Sequence, residues 1–144
     1  MKVGILGAGG MGESVITHLQ KCSEVNCIIA MDKREERVKE LRERFSIEAT
    51  TELKEILCDP EVRCVFVTSS NDAHAELTIQ SLKAGKAVLC EKPMATTLED
   101  ALAMAECAES TGGFWQIGVE LRYSYLYTKV KEWIDAGLLG EVVN

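Results

Sequence analysis

The sequence lacks two features that would point to nucleic-acid or membrane partners. Its 144 residues carry 16 Lys and Arg against 23 Asp and Glu, which gives a formal net charge of −7. Nucleic acids and anionic membrane surfaces are bound by positive fields, so neither is expected as the main partner. No apolar run approaches the roughly 18 residues that a membrane-spanning helix needs. We therefore expect no nucleic-acid ligand and no membrane span.

Proline is scarce, and closely spaced cysteine pairs are missing. Only two prolines and 47% hydrophobic residues are typical of one compact globular domain. The first predicted strand begins at Lys2 and leaves no room for a signal peptide. Because no C-x-x-C pair occurs, we expect reduced, structural thiols in a cytoplasmic protein. The six cysteines are Cys22, Cys27, Cys58, Cys64, Cys90 and Cys107.

Five short apolar runs alternate with longer segments of helical periodicity. The runs are continuous rather than alternating, as expected for strands buried on both faces of a parallel sheet. They cover residues 3–6, 27–31, 64–68, 87–90 and 114–119, with a weaker candidate at 47–50. This alternation predicts an α/β fold, in which a doubly wound, mainly parallel sheet carries helices on both faces.

Apolar residues at helical spacing predict which faces of the helices are buried. Polar residues predict where helices start: Thr96 with Glu99 forms a candidate capping box, and Thr51 is expected to cap the helix that ends at Leu57. The predicted buried faces are Val38, Leu41 and Phe45; Ala75, Ile79 and Leu82; and Leu98, Ala101, Leu102, Ala105 and Ala108.

The last 22 residues, 123–144, follow a different pattern. Residues 124–135 predict one more amphipathic helix, whose apolar side includes Trp133. Residues 141–144 look like a strand that is just starting. We therefore expect a domain over residues 1–122, then a linker helix and the start of a further α/β domain over 123–144, within a longer protein.

A glycine-rich stretch joins the first predicted strand to the first predicted helix. It reads Gly7-Ala8-Gly9-Gly10-Met11-Gly12, and its first, third and sixth residues match the spacing G-x-G-x-x-G. Gly7 permits a tight turn, Gly9 leaves room for a pyrophosphate, and Gly12 lets helix and strand pack closely. The helix N-terminus adds free N–H groups and the positive end of a dipole. The stretch therefore predicts a dinucleotide site, against the alternative of a glycine-rich turn without a ligand.

An acidic residue ends the second predicted strand. Asp32 lies 20 residues after Gly12, where a carboxylate accepts hydrogen bonds from the adenosine ribose. It would repel a 2′-phosphate, so we predict NAD as the cofactor. Lys33 and Arg34 follow directly, and an arginine there can accommodate that phosphate, which keeps NADP as the alternative. The two basic residues have a second interpretation as a solvated helix start.

Two further polar clusters are expected at the same edge, where parallel strands end. Thr68 ends the strand over 64–68, Ser69, Ser70 and Asn71 follow it, and His74 lies in the next helical turn. We predict that they line the ribose and nicotinamide end of the cofactor. Helix capping is the alternative for the polar residues. The His74 imidazole is expected to hydrogen-bond a ribose or a backbone group, with plain packing as its alternative.

The third cluster, Glu91-Lys92-Pro93, ends the strand over 87–90. A lysine at this position, followed by proline, can present its ammonium to the crevice. Hydride transfer from a secondary alcohol leaves a carbonyl and a proton, and a cation beside that oxygen stabilises developing negative charge. Lys92 is therefore the predicted catalytic residue, with a surface lysine at a turn as its alternative, and no metal site is predicted.

Taken in order, these motifs resemble the Gfo/Idh/MocA oxidoreductases over essentially the whole chain. The resemblance rests on residues 7–12, Asn71-x-x-His74, Glu91-Lys92-Pro93, Arg122-Tyr123 and Gly137-x-x-Gly140. Members have an N-terminal Rossmann domain and a C-terminal α/β domain whose open sheet holds the substrate. They oxidise or reduce sugars, polyols or related cyclic compounds with NAD or NADP.

The resemblance implies roles for individual residues. Lys92 is the active-site lysine, and Glu91, Asn71 and His74 lie beside the cofactor. Many members have an asparagine two positions before the arginine that matches Arg122. This chain has Glu120 there, so the role of that asparagine is not assigned to it. Many members complete the active site with an Asp and a His of the second domain, and neither can be assigned to a residue of this sequence. We expect a homo-oligomer in full-length form, and we expect residues 1–144 alone to bind cofactor without turning substrate over.

Two other functions are compatible with the sequence. An adenosylmethionine-dependent methyltransferase also uses a glycine-rich turn and an acid after the second strand, but the Glu91-Lys92-Pro93 cluster argues against it. A non-catalytic sensor of NAD(P) could use the same fold, and the presence of Lys92 favours the enzyme over this sensor.

Overall fold

A computed structural model, which describes residues 1–143, shows one sheet of six strands in the order β3-β2-β1-β4-β5-β6. All neighbouring pairs are parallel. The strands are β1 (Lys2–Leu6), β2 (Cys27–Met31), β3 (Glu48–Thr50), β4 (Val62–Val67), β5 (Ala87–Glu91) and β6 (Trp115–Gly118). The predicted doubly wound parallel sheet is confirmed, and each of its six predicted strands is found within two residues of its predicted ends.

Six helices connect and follow the strands. They are α1 (Gly10–Leu19), α2 (Glu35–Phe45), α3 (Leu53–Leu57), α4 (His74–Lys83), α5 (Leu98–Thr111) and α6 (Tyr125–Asp135). Short 3₁₀ turns cover Asn71–Ala73 and Glu120–Tyr123. None of the helices in residues 1–143 is long and apolar enough to cross a bilayer.

The sheet separates two apolar cores, one on each face. One contains Ile16 of α1, Val38 and Leu41 of α2. The other contains Ile56 of α3, Leu82 of α4 and Met104 of α5. Burial on both faces explains why the strands have continuous apolar sequences instead of alternating ones. All six cysteines are free thiols, as predicted.

The predicted helix caps are wrong at two places. The N-cap of α5 is Thr97, whose hydroxyl oxygen accepts from the backbone N–H of Asp100 at 3.1 Å. The capping box predicted at Thr96 and Glu99 is therefore displaced by one residue, because two threonines compete for one position. The N-cap of α3 is Glu52 rather than Thr51, and the Glu52 N–H donates to the hydroxyl of Thr50.

The buried face of α5 also differs from the prediction. Leu98 is 76% exposed and Leu102 is 55% exposed, whereas Met104, Cys107 and Ala108 are buried. This helix carries apolar residues around most of its circumference, so its periodicity does not define a single face. Packing against α4 and the sheet selects the face that contains Met104.

The tail contains the predicted helix but not the predicted strand. α6 covers Tyr125–Asp135, and its apolar residues Trp133 and Ile134 are exposed. Residues 141–143 form no strand, because they pair with no other strand of the described chain, and Asn144 lies outside the described residues. The domain division at residue 122 remains a prediction.

Candidate cofactor site

The register of the central strands brings three strand ends together. Leu6 of β1 pairs with Met31 of β2 and with Val67 of β4. The residues that follow these strands, Gly7, Asp32 and Thr68, are therefore neighbours. The Gly7 N–H donates to the Met31 carbonyl at 2.9 Å, and the Thr68 hydroxyl donates to the Gly7 carbonyl at 2.6 Å. The strand order changes direction between β1 and β4, where open α/β sheets bind ligands.

The first and last glycines of residues 7–12 are required by close packing. Gly7 has φ +97°, and a Cβ there would lie 2.6 Å from the backbone nitrogen of Ser69. A Cβ on Gly12 would collide with the Gly7 carbonyl oxygen and lie 3.2 Å from the Thr68 hydroxyl. These contacts confirm the tight turn and the close helix–strand packing that were predicted for the two glycines.

Gly9 differs from both, because a Cβ on it would meet no atom within 4 Å. Gly9 is the N-cap of α1, and Gly9, Gly10 and Met11 are exposed. The first turn of a helix has N–H groups without partners inside the helix, and the dipole places partial positive charge there. Open space beside exposed N–H groups fits the pyrophosphate of a dinucleotide.

Asp32 is buried beside residues 7–12, which we call the glycine corner, and it is paired with Arg34. The Arg34 guanidinium donates from Nε to Oδ1 at 2.9 Å and from Nη2 to Oδ2 at 3.1 Å, and the Arg34 backbone N–H also donates to Oδ1. Burial alone would raise the pKa of the Asp32 carboxyl, but the hydrogen bonds and charge of Arg34 outweigh burial and lower it. Asp32 is therefore a carboxylate at neutral pH, held by a side chain that is itself exposed.

A cavity of about 730 Å³ connects the ends of β1, β2 and β4. This volume lies within the range typical of cofactor sites. Eight residues predicted for the cofactor line it: Gly7, Gly9, Asp32, Lys33, Arg34, Thr68, Ser69 and Ser70. The other predicted residues, Ala8, Gly10, Met11, Gly12, Asn71, His74, Glu91 and Lys92, do not line it; Ala8 and Gly12 are buried within the glycine corner.

Half of the cavity wall comes from residues that no sequence motif predicted. Thr51, Glu52 and Leu53 follow β3, so the rule that ligands bind where strands end would have found them. The α4 side chains Glu76, Leu77 and Gln80 also line the cavity. No local signal marks these α4 residues, because their position depends on how the helix packs against the sheet.

His74 connects the second polar cluster to the third. Its side chain is 1% exposed, and its Nδ1 and Nε2 lie 2.7 Å from the Pro93 carbonyl oxygen and 3.2 Å from that of Ser69. The sequence predicted a ribose or a backbone group as the partner of this ring, and the structure shows backbone carbonyls. The ring therefore joins the loop after β4, which lines the cavity, to the loop after β5.

Lys92 is exposed at the carboxyl end of β5. Its backbone N–H donates to the Glu91 carboxylate at 3.1 Å, and the Lys92–Pro93 peptide bond is cis. The Glu91 carboxylate packs against Gly118 of β6, where a Cβ would lie 3.1 Å from its Oε1. Glu91 is thus held between its own loop and the neighbouring strand, while the Lys92 side chain faces solvent.

Comparisons with known proteins agree with this geometry. Residues 1–119 match the family described as "Oxidoreductase family, NAD-binding Rossmann fold", Gfo/Idh/MocA. Myo-inositol 2-dehydrogenase of Thermotoga maritima is 32% identical over 142 residues, which cover 98% of this chain and 42% of that protein. A 1,5-anhydro-D-fructose reductase of Ensifer adhaerens is 36% identical over 95 residues, which cover 66% of this chain and 28% of that protein.

A solved structure shows the same fold. The crystal structure of myo-inositol 2-dehydrogenase from Lactobacillus plantarum superposes with a TM-score of 0.90 at 25% identity, over 99% of this chain and 43% of that one. The chain thus spans less than half the length of these relatives. The match over residues 1–119, together with the glycine corner and Asp32, shows that the chain belongs to the Gfo/Idh/MocA oxidoreductase family and contains its NAD-binding Rossmann domain.

Proposed function

We propose that this chain is the cofactor-binding part of an NAD-dependent dehydrogenase that acts on a cyclic polyol or a related sugar. The observation that carries the proposal is that Gly7 and Gly9 of the glycine corner line the same cavity as Asp32. The relatives named as inositol dehydrogenase and anhydrofructose reductase support a substrate with a secondary alcohol or carbonyl on a ring.

Residues that line the cavity, together with Gly10 and Asn71 next to them in sequence, are proposed to bind different parts of the cofactor. Gly9 and Gly10 offer N–H groups and open space to the pyrophosphate, and Asp32 accepts hydrogen bonds from the adenosine ribose. Ser69, Ser70 and Asn71 extend from the same edge toward the nicotinamide ribose. Lys33 lies beside the adenosine end. The bound nicotinamide supplies the site that accepts or donates hydride.

Lys92 is proposed as the catalytic residue. Its exposed ammonium, at the end of β5, can hydrogen-bond the reacting oxygen of a substrate. As an alcohol is oxidised its oxygen gains negative charge before the carbonyl forms, and a positive charge beside it lowers the barrier. Glu91 restrains the Lys92 backbone through the hydrogen bond at 3.1 Å.

The whole protein would contain more than the cofactor domain. We propose that residues 123–144 begin the segment that leads into a substrate domain, since the exposed apolar residues of α6 offer a surface for it. A homo-oligomeric full-length protein and a cytoplasmic location complete the proposal. The six free thiols are compatible with a reducing compartment.

Two measurements test the proposal. Fluorescence titration of residues 1–144 with NADH and NADPH should show saturable binding, tighter for NADH, and no reduction of NAD when myo-inositol is added. In a protein that also carries the substrate domain, myo-inositol should reduce NAD, and Lys92→Ala should lower kcat about 100-fold or more while the affinity for NADH stays within about threefold.

The possible failures are distinguishable. No NADH binding by residues 1–144 would overturn the cofactor site itself. Cofactor binding by the longer protein, without turnover of any cyclic polyol or sugar tested, would instead support an NAD sensor. Dehydrogenase activity from residues 1–144 alone would contradict the need for a second domain.

A further inference from the structure

Arg37 reaches from α2 to the glycine corner, although no motif singled it out. Its Nε donates to the carbonyl oxygen of Ala8 at 2.7 Å, between Gly7 and Gly9. The Arg37 side chain is only 12% exposed, and the rest of its guanidinium contacts Glu13 of α1 and Glu40 of α2. One side chain therefore connects α2, the start of α1 and the backbone of the corner.

We propose that Arg37 is a positioning residue that aims the backbone N–H of Gly9 at the diphosphate of the cofactor. The inference deepens the proposed function and rests on it. In a planar trans peptide the C=O and the N–H point in opposite directions. The Arg37 hydrogen bond holds the Ala8 carbonyl toward α2. The N–H of the same peptide, which belongs to Gly9, therefore points away from α2.

The space beside Gly9 is open and Gly9 is exposed, so a correctly oriented N–H there is available to an anion. Gly9 has φ −71° and ψ −162°. Because a glycine can adopt many other conformations, a peptide next to it needs an external restraint to keep one orientation. The guanidinium of Arg37, fixed on two glutamates, supplies that restraint.

Arg37 has a second effect through Glu13. This glutamate lies in the first turn of α1, close to where the anion is expected to bind. Its carboxylate contacts Arg37 and also Arg44, at 2.9 Å from Arg44 Nη1. The hydrogen bond from Arg37 is the main reason that the pKa of Glu13 is lowered. The negative charge of Glu13 is thus compensated locally and repels a diphosphate less.

Arg44 provides a matched control for these two effects. It contacts the same two glutamates, Glu13 and Glu40, and carries the same charge, but its hydrogen bonds do not include the Ala8 carbonyl. Arg44→Met and Arg37→Met therefore remove equal charge from the same cluster. Only Arg37→Met removes the restraint on the corner. A comparison of the two variants separates orientation of the peptide from charge compensation.

The experiment measures two ligands on residues 1–144 and the two variants. ADP-ribose contains the diphosphate and is measured by calorimetry, whereas adenosine lacks phosphate and is measured by NMR titration. Arg37→Met should weaken ADP-ribose about tenfold or more and change adenosine affinity less than about twofold. Arg44→Met should weaken ADP-ribose by less than about threefold. The ¹H–¹⁵N signal of Gly9 should shift in the Arg37 variant and stay in place in the Arg44 variant.

Arg37→Lys keeps the charge but cannot donate to Ala8 and both glutamates in the forked geometry of arginine. It should fall between wild type and Arg37→Met, and it provides the test if the methionine variant does not fold. Equal ADP-ribose affinity in all four proteins, or equal losses for both ligands, would overturn the positioning role. Failure of the wild type to bind ADP-ribose would instead overturn the cofactor site on which it rests.

Discussion

The imidazole of His74 contacts two backbone carbonyls from different loops, that of Pro93 at 2.7 Å and that of Ser69 at 3.2 Å. Ser69 lines the cofactor cavity, and Pro93 follows the proposed catalytic Lys92. A single buried ring on α4 therefore fixes the distance between the place where the cofactor is proposed to bind and the residue proposed to act on the substrate.

Removal of these ring contacts should be costly, because the N–H of this buried ring donates to a backbone carbonyl. His74→Phe fills a similar volume but leaves the two carbonyls without their ring partner, and we expect the free energy of unfolding to fall by about 1–3 kcal/mol. Thr78→Val, four residues further along α4, is the control. The Thr78 hydroxyl is buried without an oxygen or nitrogen partner in residues 1–143, and the weakly hydrogen-bonding thiol of Cys90 lies beside it, so its removal should leave stability nearly unchanged. Urea unfolding of both variants measures the difference, and equal effects would contradict this account.

The two glycines Gly7 and Gly9 should respond differently to alanine. Gly9→Ala points a methyl group into open space, so stability should stay within about 0.5 kcal/mol of wild type. The methyl group would occupy the space needed by the pyrophosphate, and NADH affinity should fall about tenfold or more. Gly7→Ala requires a left-handed conformation at φ +97° and a contact with Ser69, so it should lose stability itself. Thermal melts and NADH titrations of both variants test the contrast.

Asp32 should control the choice between NAD and NADP through Arg34. Asp32→Asn removes the charge that holds the Arg34 guanidinium and that repels a 2′-phosphate. We expect the ratio of NADPH to NADH affinity to rise about tenfold. Adding Arg34→Ala to this variant should abolish the rise in the NADPH-to-NADH affinity ratio, because that rise is expected to come from the freed Arg34 guanidinium binding the 2′-phosphate. An unchanged ratio in Asp32→Asn, measured by fluorescence titration, would show that neither residue discriminates between the cofactors.

Lys2 should stabilise the opposite end of the sheet in a pH-dependent way. Its ammonium contacts Glu48 at 2.7 Å and Asp59 at 3.0 Å. The Lys2 hydrogen bonds lower the pKa of both carboxyls from their ordinary values of 4.5 and 3.8. A lowered pKa contributes stability above the ordinary value, and this contribution is lost as the pH falls through the folded-state pKa.

Lys2→Met should therefore lower Tm by about 3–6 °C at pH 7, where both carboxylates are charged and lose their partner. The difference from wild type should shrink below pH 4 as the carboxyls take up protons. Lys39→Met is the control, because Lys39 is 79% exposed and lies 3.8 Å from Glu43. Calorimetry at several pH values would contradict the account if the difference between wild type and Lys2→Met grew toward acid pH.

The sequence by itself determined the architecture and the position of the cofactor corner. Continuous apolar runs predicted five of the six strands and a weaker pattern predicted β3, while the spacing of Gly7, Gly9 and Gly12 with Asp32 predicted the turn that the structure contains. These features depend on local forces. Glycine conformation, helix periodicity and burial of a strand on both faces act on neighbouring residues, so a short stretch of sequence records them.

Only the tertiary structure decided which side chains meet across that corner. The contacts of Arg37 with Ala8 and of His74 with Pro93 join residues that are far apart in sequence. Packing likewise selected the Met104 face of α5 over the Leu98 face, and it placed Gln80 of α4 in the cavity wall. Strand register and helix packing set these distances, and both arise from interactions summed over the whole domain, which no local pattern encodes.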